Sequence, residues 1–149
     1  MDVGDLAVER FGQGYSCSQA VFSACAERRG VDRDLALRVA AGFGGGLGRT
    51  AQTCGCVTGA IMAIGLAQRG VGPEENRAEK EKTYQAVQRF LREFAGRNGS
   101  TVCLDLLGCD ISTPEGHEQA RQNGLFRSRC GPLVRDAVEL AESILAEAR

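Results

Sequence analysis

The sequence predicts an all-α fold: a single-domain compact helical bundle over residues 1–149, with a buried central helix. Apolar residues recur at helical spacing rather than in alternation. Capping residues and glycine or proline stops bracket the periodic segments. One stretch, from about Thr50 to Gln68, is apolar on nearly every side, as expected of a core helix. No alternating β-branched segment, internal repeat or low-complexity tract competes with this reading.

Asp5 to Phe11 forms a short helical lead-in that Gly12 and Gly14 end. Ser16 is a good N-cap for a helix to about Arg29, which Gly30 stops; its stripe is Val21, Phe22, Ala24 and Cys25. Asp32 caps the next helix, with Leu35, Leu37, Val39 and Ala40 as its apolar residues. The run Gly42 to Gly48 is expected to be irregular, since each glycine inside a helix costs roughly 1 kcal/mol relative to alanine. In the central helix Gly55, Gly59 and Ala63 fall at four-residue steps, a ridge that lets another helix approach closely. Gly70 to Glu75 is a polar break with Pro73 near a helix start. Arg77 to Ala95 reads as amphipathic, with Tyr84, Val87, Phe90, Leu91 and Phe94 inward. Ser100 caps a short helix to about Leu107, and Asp110 to Gly124 reads as irregular apart from a weak turn after Pro114. Pro132 starts the last helix, with Leu133, Val134, Ala137, Leu140, Ala141, Ile144 and Leu145 as its stripe.

Composition narrows the function classes. Hydrophobic residues at 43% and charged ones at 25% are ordinary for a soluble globular protein. A net charge of −1 leaves no electrostatic footprint for nucleic acid or anionic lipid, and without tryptophan there are few platforms for stacking bases. The N-terminal Met1-Asp2-Val3-Gly4-Asp5 lacks a hydrophobic run, so no secretory signal is expected. Val57 to Ala67 is shorter than the roughly 20 residues that span a bilayer. A cytoplasmic location follows as the expectation, and permanent disulfides are uncommon there. The odd count of seven cysteines also fits a fully paired scaffold poorly.

Those cysteines are the chemistry-bearing feature. Cys17, Cys54, Cys103 and Cys130 sit where helices are expected to begin. Free amides and the macrodipole at such ends favour negative charge, hence thiolate, the form that attacks disulfides and binds metals. No local Cys-x-x-Cys pair exists, so a shared site must be assembled by the fold. Cys25, on the Val21 and Phe22 side of its helix, reads as a small core residue, and Cys109, at a helix end, as structural or incidental. Cys54 and Cys56 are roughly 200° apart if the helix has begun, and reach one site only if the chain is still extended there.

Several stretches carry a resemblance: Gly14-Tyr15-Ser16-Cys17-Ser18-Gln19-Ala20-Val21, Gly42 to Gly48 leading to Cys54-Gly55-Cys56-Val57-Thr58-Gly59-Ala60, Cys103 to Gly108, and Cys130-Gly131-Pro132-Leu133-Val134. Together they cover most of the chain. In them it resembles the redox-active protein family with the C…GCAxxG…C…C cysteine pattern. The resemblance implies a small prokaryotic protein with redox activity or an iron–sulfur centre. The middle motif departs from that pattern. Read as Cys-Gly-Ala-x-x-Gly it is Cys54-Gly55-Cys56-Val57-Thr58-Gly59, with only the alanine replaced, so Cys54 is the safer carry-over and Cys56 an added thiol.

Other motifs fare less well. Gly46-Leu47-Gly48-Arg49-Thr50-Ala51 matches G-x-G-x-x-A, but a helix rather than a strand precedes it. The glycines serve better to let backbone pass close to the cysteines, with amides available to a sulfur or anion. His117 is the only histidine and reads as a surface residue, which removes a Ser-His-Asp triad from consideration. Arg49 and Arg129 neighbour the cysteine segments and could stabilise thiolate, though surface arginine is the commoner explanation.

The leading expectation is thiol/disulfide exchange or electron transfer by Cys17, Cys54, Cys56, Cys103 and Cys130, as in a thiol-disulfide oxidoreductase with a redox partner of unspecified identity. The first alternative is an iron–sulfur cluster or other metal held by Cys17, Cys54, Cys103 and Cys130. The second is a non-catalytic helical interaction module whose cysteines merely pack. A homodimer stays open.

Overall fold

The structure, a computed structural model, describes residues 1–147. Helices begin where short polar side chains close the first turn. Asp2 accepts from the Asp5 amide at 2.7 Å ahead of α1 (Val3–Gly12). Ser16 accepts from Gln19 at 3.3 Å ahead of α2 (Cys17–Arg28), and Asp32 from Leu35 at 3.0 Å ahead of α3 (Arg33–Ala40). Asp5 and Gln19 reach back to complete capping boxes at the first two. A 3₁₀ turn (Ala41–Phe43) leads to the short turn α4 (Gly44–Leu47), then α5 (Gly55–Leu66) and the long α6 (Pro73–Asn98). The chain closes with α7 (Cys103–Leu107), α8 (Pro114–Gln122), a π turn (Phe126–Cys130) and α9 (Gly131–Glu147). Among the described residues no strand forms; Thr53 and Val102 make an isolated antiparallel bridge.

The small-residue ridge works as its spacing suggests. A Cβ added to Gly55 would stand 3.0 Å from the Ser18 amide nitrogen, and one on Gly59 3.0 Å from the Ser18 carbonyl oxygen. Glycine therefore lets α2 and α5 meet backbone to backbone, and Val21, Cys56, Val57 and Ala60 are fully buried at this contact. Around the pair, α9 packs Val134, Ala137 and Ala141, while α6 brings Phe90 and Phe94, stacked at 5.6 Å. No helix among the described residues is long and apolar enough to cross a membrane.

Ion pairs lock the periphery to this core. Arg29 grips Glu142 of α9 through two nitrogens at 2.9 and 3.0 Å and also donates to the Cys25 carbonyl. Burial opposes ionisation of Glu142, but Arg29 prevails and holds its carboxyl below the usual range. Glu142→Gln removes the charge and one of the paired bonds, so a loss of about 1.5 kcal/mol is expected, the scale of a charge-assisted hydrogen bond. Chemical denaturation checks it; an unchanged midpoint would show that the clamp contributes nothing.

Four local expectations need correction, and the burial pattern of α3 is added by the structure. The central helix starts at Gly55 rather than near Thr50, because Ala51 has φ +59° and Thr53 is drawn into the bridge. In α3 the buried residues are Ala36, Leu37 and Ala40; Leu35 and Val39 are about half exposed. Residues two apart lie on different helix faces, so Leu35, Leu37 and Val39 do not share one. Tyr84 is also exposed, since only Phe90 and Phe94 of α6 are buried. Residues 114–122 are a true helix, with Thr113 accepting from Gly116 and proline in the first turn. Val102, not Ser100, occupies the cap of α7, while Ser100 accepts from the Val102 amide and donates to Asp105.

Candidate functional site

Cys17 is the first residue of α2, Cys54 caps α5, Cys103 opens α7, and Cys130 immediately precedes α9. The fold turns these starts to one place. Beside the Thr53–Val102 bridge, the Cys54 amide donates to Thr101 at 2.8 Å and the Cys103 amide to Gln52 at 2.6 Å, clamping the two cysteines side by side. Close packing at Gly55 sets its would-be Cβ 3.2 Å from the Cys17 Cβ, so Cys17 stands over the start of α5. The π turn delivers Cys130 from the other side. Cys17, Cys54, Cys103 and Cys130 all line one cavity of about 880 Å³.

The glycine run makes this convergence sterically feasible. A Cβ on Gly44 would meet the Ser16 Cβ at 2.6 Å, and one on Gly46 the Cys103 Cβ at 2.7 Å. Five consecutive residues, Gly45 to Arg49, hold φ between 65 and 69°. That is a left-handed turn, a conformation that costs a non-glycine residue on the order of 1–2 kcal/mol. Leu47 and Arg49 bear this strain beside the cavity, as backbone at functional sites often does.

The sulfurs differ in ionisation. The neighbouring Cys130 and Cys56 thiols hold the Cys17 thiol well below the ordinary cysteine range, against the effect of burial. Those neighbours are affected oppositely. Cys130 is raised by the neighbouring Cys17 and by burial, and Cys56 by the neighbouring Cys17 and Cys54 and by burial. Cys103 is pushed up to about 12, first by burial and then by the neighbouring sulfurs. A helix start alone is thus not enough to lower a thiol. Cys17 has a twelve-residue helix behind it and the Cys130 and Cys56 thiols beside it, whereas the helix behind Cys103 has five residues.

Cys54 itself is non-helical, with φ −56° and ψ 137°, while Cys56 already lies within α5 and does not line the cavity. Cys56 is fully buried behind the cavity wall. Cys25 lies in the core, its thiol raised by burial and by the Glu142 carboxylate. Cys109 donates to the Gly116 carbonyl at 3.1 Å and packs under the α7–α8 connection. Both keep the packing roles their positions suggested. All seven cysteines are free thiols.

The cavity wall also includes His117 and Arg127, which the sequence alone did not place there. His117 lines the wall and its ring lies 5.6 Å from that of Phe126, rather than standing free on the surface. Arg127, not Arg129, joins Arg49 there. The signal for His117 was the Thr113-Pro114 helix start, which makes residues 114–122 a rigid element able to aim a side chain inward.

A metal centre fits this arrangement poorly. Among the described residues no group of three or more His, Cys, Asp or Glu side chains is disposed to hold a metal ion. Cluster ligation asks four thiolates to converge on one centre.

A family sequence model described as "Putative redox-active protein (C_GCAxxG_C_C)" matches residues 15–144. No curated protein and no solved structure matches the chain.

Proposed function

Because the chain belongs to the redox-active protein family with the C…GCAxxG…C…C pattern, we propose that it performs thiol–disulfide exchange, with Cys17 as the attacking sulfur and Cys130 as the resolving one. The observation that carries this reading is the meeting of Cys17, Cys54, Cys103 and Cys130 in the wall of one open cavity, with the Cys17 thiol held below its ordinary range. Exchange needs an ionised attacker, access, and a second thiol within reach. Cys17 supplies the first two and Cys130 the third.

The Cys17 thiolate attacks one sulfur of a substrate disulfide RS–SR′, forming a Cys17–SR bond and releasing R′S⁻. Cys130 gives its proton to the departing thiolate, and its sulfur attacks the Cys17 sulfur. The Cys17–Cys130 disulfide forms and RS⁻ leaves, so two electrons pass from the protein to the substrate. The reverse sequence oxidises a substrate dithiol. Cys56 acts as a positioning residue, keeping its proton beside Cys17 behind the wall. Cys54 and Cys103 wall the cavity beside it. Simple packing of cysteines does not account for one lowered thiol among several raised ones.

Iodoacetamide labelling across pH, with each cysteine quantified by peptide mass, tests the assignment. A free cysteine ionises near 8.5 and carries only a few per cent thiolate at pH 7. Cys17 is expected to label first and to hold its rate from neutral into acidic solution, because its lowered thiol stays ionised there. Cys103 is expected to react only as the pH nears 12. Cys17 labelling no faster than an unstructured peptide thiol would defeat the reading.

A further inference from the structure

We infer that the cavity selects small organic disulfides and thiols carrying a carboxylate or similar anion on an apolar body, which names a substrate class for the thiol-exchange reading and rests on it. The charge of the wall is one-sided. Its charged groups are Arg49 and Arg127, the other titratable ones besides the cysteines are His117 and Tyr15, and neither aspartate nor glutamate lines it. The chain as a whole carries 19 acidic against 18 basic residues, so this bias belongs to the cavity and not to the protein. Arg49 and Arg127 are both exposed, so their attraction for an entering anion acts through solvent and is screened by salt. Arginine also offers a planar fork that matches a carboxylate through two hydrogen bonds.

The rest of the wall sets size and polarity. Phe11, Leu107, Ile111 and Leu133 present carbon to the space, and the glycine segment presents backbone without side chains. A volume of about 880 Å³ falls within the range of pockets that enclose small organic ligands, roughly 300–1,000 Å³. A bare inorganic anion would leave most of it unfilled. The organic group would lie on the apolar wall, its anion toward Arg49 or Arg127, and its sulfur toward Cys17.

Charge-matched disulfide probes test this. The dianionic aromatic disulfide 5,5′-dithiobis(2-nitrobenzoate) and the neutral aromatic 2,2′-dithiodipyridine are reacted with the reduced protein, and labelling at Cys17 is followed. The readout is the ratio of anionic to neutral rate, divided by the same ratio for an unstructured cysteine peptide. That quotient does not depend on the fraction of protein that is active. It is expected to exceed tenfold, to fall at least tenfold in the Arg49→Gln/Arg127→Gln double variant, and to shrink in the unaltered protein as salt is raised. A quotient near one, or one indifferent to both arginines and salt, overturns the anionic class while leaving exchange at Cys17 intact. Failure of Cys17 to react with either probe overturns exchange, and the substrate class with it.

Discussion

Cys17→Ser is expected to abolish disulfide exchange, lowering the rate by at least about a thousandfold, the scale on which enzymes lose activity when the attacking group is removed. The hydroxyl oxygen is nearly isosteric with sulfur yet does not ionise in water near neutrality, so the attacking electron pair is lost while the shape remains. The start of α2 does not depend on the sulfur. Ser16 and Gln19 form the capping box, and Gly55 and Gly59 provide the close contact with α5. Circular dichroism and the denaturation midpoint should therefore stay near those of the unaltered protein. The variant also separates the roles of its neighbours. With no thiolate to stabilise, Cys130 and Cys56 lose the contact that raises them and should label faster at alkaline pH than in the parent. Exchange persisting at more than a tenth of the parent rate would mean that another sulfur attacks.

Gly46→Ala is expected to destabilise the protein by about 3 kcal/mol, combining roughly 1–3 for overpacking and 1–2 for a left-handed backbone. The added Cβ would stand 2.6 Å from the Gln52 amide nitrogen, 2.7 Å from the Cys103 Cβ and 2.9 Å from the Ala51 carbonyl carbon. Two of these neighbours are backbone and hold the loop that ends in Cys54. The third belongs to a buried residue of the cavity wall. None yields as the tip of a flexible side chain would. At this chain length the loss corresponds to a fall in Tm of roughly 10 °C. Gly65→Ala is the matched control. It lies in α5 with nothing within 4 Å of the would-be Cβ and no positive φ, so alanine should be neutral or stabilising by up to about 1 kcal/mol. Equal effects at the two positions would refute the close packing assigned to Gly46.

The readable parts of this chain were those governed by near neighbours in sequence. Ser16 and Asp32 close their own first turns, and Phe90 and Phe94 fall on one face by helical period alone. A helix does not need to know its partner to have a cap and a stripe. Even so, spacing misled where the expected stripe of α6 ran on to the exposed Tyr84. Thr113-Pro114 is a legible helix start that marks a turn, but the polar segment after it hides how far the helix runs.

For the site, the sequence by itself determined the inventory: which sulfurs exist, that four of them open helices, and that glycine separates two of them. Tertiary structure decided the rest. The Thr53–Val102 bridge joins residues nearly fifty apart, and the approach of Cys130 to Cys17 spans more than a hundred. Ionisation depends on those long-range meetings, because a thiol responds to the donors, charges and burial around it, wherever along the chain they come from. Helix position treated Cys17 and Cys103 alike. Three-dimensional surroundings set one sulfur to ionise and the other to keep its proton.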